Sequence, residues 1–269
     1  MFEISSPAKI NLKLKIIGKR HDGFHEIETI MQEISLKDVL TISKSNGQYQ
    51  LNCEGIPIPG NPKDNLINKA TDLFLDKTKS TKLKNTIQIK LIKNIPCGSG
   101  LGGGSSNAVA TLKGLNVFFD SPLNREELYD LAIKLGSDTA FFLFGGQCIC
   151  TGRGENIKEI NNQNKTQNII LILPKIHVPT EKIFKAYEFS PSDKNNHLEE
   201  ISLKLFPEIY EIKDQVSQII QNEIFMSGSG STLFTLIDEI KTEELNLLNK
   251  IANCTIIKSH FNYQGCHVS

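Results

Sequence analysis

A chain of 269 residues can build one large domain or two ordinary ones, each with a real core. Apolar residues make up 39% and charged residues 22% of it, which excludes a disordered, collagenous or membrane-embedded chain. Lysine plus arginine and aspartate plus glutamate each number 30, so no basic excess marks a nucleic-acid backbone as a partner.

The opening "MFEISSPAKINLKLKII" lacks the basic n-region and unbroken apolar segment of a secretory signal. No apolar run nears the ~18 residues that cross a bilayer, so a membrane is not an expected partner either. The six cysteines (53, 97, 148, 150, 254 and 266) show no C-x-x-C spacing and no second pair to complete a metal site. They read as reduced thiols of a cytoplasmic protein.

In chain order, residues 10–17, "INLKLKII", alternate apolar and polar as a half-buried strand does. Two β-prone runs flank Asn46-Gly47, a short hairpin signal. The next segment changes period: Asp64 can cap a helix whose Leu66, Ile67, Ala70, Leu73 and Phe74 share a face. Ile87, Ile89 and Leu91 then alternate with Gln88 and Lys90, predicting another strand. Beyond the glycine-rich stretch, Ala108, Val109, Leu112 and Leu115 predict an amphipathic helix. A second helix opens at Ser121 or Asn124 and stops near Gly136. Residues 169–173 form an apolar strand, "TEKIFKAY" and the region 197–221 are helical, and "EIFMSGSGSTLFTLI" is a strand, a Ser-Gly loop and an apolar segment. The asparagine-rich stretch 161–168 reads as a linker or exposed turn. Alternating strands beside helices give an α+β chain of antiparallel sheets covered on one face. It divides near residue 155.

The chemistry concentrates in "NIPCGSGLGGGSSNA", which places five glycines between 98 and 104 directly before a helix. Taken literally, Gly98-Ser99-Gly100-Leu101-Gly102-Gly103 fits the dinucleotide fingerprint of a nicotinamide-dependent oxidoreductase. That motif follows a buried parallel strand, whereas the strand here alternates and the first acidic residue beyond, Asp120, has no strand before it. A Walker loop fails because no Gly-Lys-Ser/Thr ends the run. What remains is the physics these motifs share. Glycines let backbone N–H groups approach an anion, and the following helix presents its positive end. Ser105 and Ser106 can cap that helix and reach a phosphate or its metal ion.

Three segments in order, "PAKINLKLKIIGKRHDGFHEIETIMQ", "PCGSGLGGGSSNA" and "MSGSGSTLF", resemble the motifs of the GHMP kinases along essentially the whole chain. The resemblance is closest to members whose substrate is a methylerythritol carrying a cytidine diphosphate, phosphorylated on its 2-hydroxyl in non-mevalonate isoprenoid synthesis. It implies a two-domain α+β fold: residues 1–155 as an ATP-binding half like the second domain of ribosomal protein S5, residues 156–269 as a ferredoxin-like, substrate-side half, and the active site in the cleft between.

By the same resemblance Asp138, in "LGSDTAFF", is the catalytic carboxylate that accepts the hydroxyl proton, and Lys9, in "PAKIN", is its partner. Pro96, Gly98, Ser99, Gly100, Leu101, Gly102, Gly103, Gly104, Ser105, Ser106 and Asn107 would wrap the ATP phosphates. Lys93 and Asn65 would serve the adenine and ribose. Mg²⁺ would arrive with the nucleotide, with Ser105 the metal-contacting hydroxyl. Phe24, His25 and Phe184 match a pyrimidine pocket of stacking rings and a base-edge histidine, with phenylalanine where tyrosine is common. Asn11 and Thr180 match polar contacts to the substrate. The Ser227–Ser231 loop is either a plain hairpin turn or a wall of the cleft, and "GRGE" at 152–155 marks the crossing between domains. Rival readings are a GHMP kinase for mevalonate, a sugar or homoserine, whose substrates have no base to stack, and a non-catalytic nucleotide-binding regulator, which has no need of both Lys9 and Asp138.

Overall fold

The computed structural model describes residues 2–160, 166–188 and 193–268. Its first half runs β1 (Phe2–Lys19), β2 (His25–Lys44), β3 (Gln50–Gly55), α1 (Leu66–Lys77), β4 (Ile87–Lys93), α2 (Gly103–Phe118), α3 (Arg125–Leu135), α4 (Phe141–Phe144), β5 (Gln147–Gly152) and β6 (Asn156–Glu159). The second half runs β7 (Asn168–Pro174), α5 (Thr180–Ala186), α6 (Glu199–Leu205), α7 (Pro207–Ser217), β8 (Phe225–Met226), β9 (Leu233–Ile237), α8 (Thr242–Leu248), β10 (Cys254–His260) and β11 (His267–Val268).

Seven strands form the first sheet, in the order β11-β1-β2-β4-β3, with β5 beside the other end of β2 and β6 beside β5. β2 is long enough for one edge to serve two strands, its residues 27–32 pairing with β5 and 39–44 with β4. The runs flanking Asn46-Gly47 do not pair as a hairpin. β4 lies between them, and β3 runs parallel to it because α1 carries the chain back in a crossover. Gly47 supplies only a bend, at φ +92°.

The second sheet is antiparallel throughout, in the order β10-β7-β9-β8. With helices between β7 and β8 and between β9 and β10, this is the ferredoxin-like arrangement. Two strands past residue 155, β6 and β11, belong to the first sheet, so a cut at that position does not separate the two sheets cleanly. Of the linker expected at 161–168, residues 161–165 lie outside the described ones, and Asn168 already opens β7.

Three apolar cores follow from this layering. Ile4, Leu40, Ile42, Phe74, Leu112 and Leu115 belong to the first, between sheet and helices. Ile170, Ile172, Ile209 and Val216 belong to the second, under the C-terminal helices. Ala8, Ile10, Ile34, Ile169, Leu171 and Phe234 pack the two halves together. β7 thus buries both faces, which is why its sequence is a continuous apolar run. Between Pro7 and Ala8 the pairing skips two residues on β2; before it Ile4 lies in the first core, and after it Ala8 and Ile10 lie in the interface. Irregularities of this kind concentrate next to functional sites, and Lys9 and Asn11 follow directly after this one.

α2 is not amphipathic as its pattern predicts: it is buried on nearly every side, between the sheet, α1 and α3. Gly114 permits that approach, since a Cβ there would lie 2.7 Å from Ile42 and 2.8 Å from Ile4. Helix starts also differ from expectation in detail. Asn65, not Asp64, caps α1, accepting from the Ile67 N–H at 2.9 Å. Gly102 in the left-handed region opens α2 one turn ahead of Ser105 and Ser106, which therefore cap nothing. Of the two starts the sequence offers for α3, Asn124 is the cap, reciprocally with Glu127, and Gly136 ends the helix as predicted.

Candidate active site

The glycine loop crosses from the end of β4 to α2 along the seam between the two sheets, and a cleft of about 1020 Å³ opens there. Lys9 and Asn11 project into it from β1, two residues apart and so on one face of the strand. Asp138 reaches it from the turn between α3 and α4.

These three side chains form one cluster. Lys9 Nζ donates to Asn11 Oδ1 at 2.7 Å and to the Gly100 carbonyl at 2.8 Å, and it stands 3.4 Å from Asp138 Oδ2. Two of the three ammonium hydrogens are thus spent on Asn11 and Gly100, while the charge is shared with Asp138 as an ion pair. The Lys9 side chain is 4% exposed and that of Asp138 33%, so the cation is fixed while the carboxylate faces the cleft. Asn11 is fixed in turn by donation to Thr29 Oγ1 at 2.8 Å.

Pro96, Gly98, Ser99, Gly100, Gly102, Gly103, Gly104 and Ser105 all border the cleft. Their glycines serve two purposes. At Gly100, φ +80°, a Cβ would lie 2.4 Å from the Ser227 carbonyl oxygen, so this glycine lets the loop pack against the second half. Gly104 is exposed and a Cβ there would meet only Leu66, at 3.6 Å. It leaves the first turn of α2 open, where backbone N–H groups have no partner within the helix.

Five residues expected at the nucleotide lie off the cleft, each for a visible reason. Leu101 has its side chain in the interface core and its carbonyl on the Lys9 N–H, at 3.0 Å. Ser106 accepts from Ser6 Oγ at 2.9 Å and is fully buried. Asn107 donates to Ser6 Oγ at 2.8 Å and to Asp38 Oδ2 at 2.9 Å. Lys93 is buried against the Asp38 carboxylate. Asn65 caps α1, one residue short of Leu66, which does line the cleft. Asp38 also accepts from the backbone N–H of Asn94 at 2.6 Å and of Ile95 at 2.8 Å, so it ties both ends of the glycine loop together from below. No sequence pattern singles out Asp38.

Phe24, His25, Thr180 and Phe184 border the same cleft. The His25 ring lies 5.5 Å from that of Phe184, tilted by 34°, and 6.1 Å edge-on from that of Tyr187. Burial holds His25 below the ordinary histidine value, and the charge of Lys19 pushes it the same way. Phe24 is half exposed on a turn built by three bonds: Arg20 N–H to Phe24 O at 2.8 Å, Gly23 N–H to Arg20 O at 3.2 Å and Phe24 N–H to Asp22 Oδ1 at 3.1 Å. Above its ring lies the Arg153 guanidinium, 5.0 Å from the centroid. Arg153 belongs to the "GRGE" segment, which carries no role in the sequence reading. Tyr187, also missed, is the last residue of "TEKIFKAY".

The Ser227–Ser231 loop is a hairpin and a cleft wall at once. It joins the paired strands β8 and β9, while Gly228 and Ser229 border the cleft. Ser227 Oγ donates to the Gly100 carbonyl at 3.1 Å and accepts from the Asn11 N–H at 3.2 Å. The Ser229 and Thr180 hydroxyls share a hydrogen bond of 2.9 Å. Cys97 lies on the cleft as well, and burial raises its thiol above the ordinary value, away from a thiolate.

The arrangement joins an anion-binding loop, a carboxylate held by a buried lysine and an aromatic-histidine platform. Comparison with known proteins matches it. The family model described as GHMP kinases N terminal domain matches residues 65–146. A 4-diphosphocytidyl-2-C-methyl-D-erythritol kinase of Clostridium beijerinckii is 32% identical over 266 residues, covering 90% of this chain and 93% of that protein. The protein of the same name from Prochlorococcus marinus strain MIT 9312 is 36% identical over 280 residues, covering 91% and 88%. A crystal structure of 4-(cytidine 5'-diphospho)-2C-methyl-D-erythritol kinase superposes with a TM-score of 0.80 at 28% identity, over 97% of this chain and 100% of that one. Mevalonate kinase of Methanococcus jannaschii shares the fold, with a TM-score of 0.70 at 17% identity over 97% and 98%. The chain belongs to the GHMP kinases and, among them, to the 4-diphosphocytidyl-2-C-methyl-D-erythritol kinase family.

Proposed function

We propose that the chain transfers the γ-phosphoryl group of ATP to the 2-hydroxyl of 4-diphosphocytidyl-2-C-methyl-D-erythritol, with Asp138 and Lys9 as its catalytic residues. The use of ATP as phosphoryl donor follows from the family. The observation that carries the assignment of roles is the Lys9–Asp138 pair, 3.4 Å apart beside the glycine loop, in the same cleft as Phe24, His25 and Phe184.

In this reading the substrate hydroxyl oxygen bonds to the γ-phosphorus, its proton passes to the Asp138 carboxylate, and the bond to the bridging oxygen breaks to leave ADP. A carboxylate is a weak base for an alcohol. It suffices because the transition state is loose, so the proton leaves late and positioning supplies most of the rate. Lys9 holds Asp138 in line and places a positive charge beside the transferring group, in a setting dry enough to strengthen it. Glycines 98–104 and the first turn of α2 take the phosphates through backbone N–H groups.

Mg²⁺ fits this donor set. The ion takes one or two protein oxygens and keeps waters and phosphates as its other ligands. The Ser105 hydroxyl, on the cleft, is the hard oxygen that would hold it. When bound, it neutralises charge on the phosphate oxygens.

The base of the substrate would stack on Phe24 and Phe184 and meet neutral His25 at its edge. Thr180 and Asn11 would fix the remainder by hydrogen bonds. The cytoplasm, where ATP is supplied, is the compartment this reading implies. Release of ADP from Mg-ATP, measured with a panel of alcohols, tests the assignment. Turnover should depend on 4-diphosphocytidyl-methylerythritol. Turnover with mevalonate, homoserine or a sugar in its place would keep the kinase and remove the pyrimidine site.

A further inference from the structure

A substrate that joins a base to an acceptor alcohol through a diphosphate must carry two negative charges across the middle of the cleft. The turn after β5 spans that distance. At one side of it, a Cβ at Gly154 would lie 3.2 Å from the Ser137 carbonyl and 3.7 Å from Asp138 Oδ1, against the proposed proton acceptor. At the other, the Arg153 guanidinium lies over the Phe24 ring. One dipeptide therefore stands beside both the reacting end and the base end.

Other cations on the cleft are committed or placed at its edge. Lys9 is used by Asn11, Gly100 and Asp138, and Lys185 pairs with Glu181 at 2.6 Å. Lys19 is exposed at the end of β1. Arg153 is one-third exposed and borders the cleft, its Nε paired with Glu155 Oε1 at the long distance of 3.7 Å. The other Glu155 oxygen, Oε2, accepts from the Arg153 backbone N–H. Asp22, on the Phe24 loop, is held by Arg20 at 3.1 Å and by the Phe24 N–H, and the charge of Arg153 reaches it without a direct contact. A planar guanidinium is the group that both stacks on an aromatic face and presents a fork of donors to a phosphate.

We propose that Arg153 is a specificity-determining residue that reads the diphosphate of the substrate while its flat face holds the Phe24 ring. This rests on the function proposed above, and it assigns the cleft a preference for a nucleoside diphosphate over the bare nucleoside.

The test is competitive inhibition of the purified protein by CDP and by cytidine, in the wild type, Arg153→Met and Arg153→Lys, with thermal midpoints as the check on folding. In Arg153→Met, loss of a charge-assisted contact should weaken CDP by roughly ten- to a hundredfold. Loss of the ring contact should weaken cytidine by less than about fivefold. Arg153→Lys should keep most of the preference for CDP, and the KM for ATP should not move in either variant. Equal weakening of CDP and cytidine, or no change in either, would overturn the inference and leave the function intact. A wild-type chain inhibited by neither compound would remove the cytidine reading itself.

Discussion

Lys93 and Asp38 form a buried ion pair directly beneath the glycine loop, with side chains 2% and 0% exposed. The same carboxylate takes Asn107 Nδ2 and two backbone N–H groups, so the charge is fully met by donors. Removing one partner of such a pair leaves an uncompensated charge, at a cost of about 3–5 kcal/mol. Asp38→Ala should accordingly lower the thermal midpoint by on the order of 10 °C. Because the loop ends are released together, the KM for ATP should rise more than the KM for the alcohol. Thermal unfolding and steady-state kinetics of that variant check both.

The glycines of the loop should separate into two classes on substitution. Gly100→Ala puts a methyl group 2.4 Å from the Ser227 carbonyl, at a φ of +80°. It should destabilise by about 1–3 kcal/mol and lower turnover. Gly104→Ala meets nothing closer than 3.6 Å and sits in the first turn of α2. It should leave the fold unharmed, or firmer by up to about 1 kcal/mol, yet raise the KM for ATP if a phosphate approaches the backbone there. Comparing midpoints with ATP affinity for the two variants distinguishes packing from ligand approach.

His25 predicts a pH dependence with a definite sign. Burial first, and Lys19 second, hold it below the ordinary histidine value, so the folded chain keeps it neutral where an unfolded chain begins to protonate. The unfolded state then binds more protons, and this contribution to stability is present above the ordinary value and falls as the pH drops toward the folded one. Substrate KM should rise over the same acidic window, because the base edge meets an imidazolium. Lys19→Gln should move that limb to higher pH. An NMR titration of the His25 ring in both proteins provides the check.

The legible parts of the site were those carried by short contiguous motifs. Lys9, Asn11, Phe24, His25, Asp138 and the exposed glycines lie where the motifs put them, bordering one cleft. Illegible were the roles that depend on which way a side chain turns. Ser106, Asn107 and Lys93 share the motif's neighbourhood, but helix phase and strand face send them down to Ser6 and Asp38. Long-range pairing was equally hidden. Asn46-Gly47 carries a genuine local bend signal, yet whether β3 meets β2 or β4 depends on where α1 returns the chain. Of the "GRGE" segment the motif marked the place, whereas the contact of Arg153 with Phe24, 129 positions away by number, exists only in the folded sheet.

The central claim is that Asp138 takes the hydroxyl proton while Lys9 holds it in line beside the phosphate loop. Single-turnover phosphoryl transfer from Mg-ATP to 4-diphosphocytidyl-methylerythritol, with wild type and Asp138→Asn, tests it most directly, alongside ATP binding by the same variant. The account predicts that the chemical step slows by roughly 10²–10⁴-fold, with ATP affinity and thermal midpoint nearly unchanged. A variant that transfers the phosphoryl group at close to the wild-type rate would contradict it and assign the proton to another acceptor.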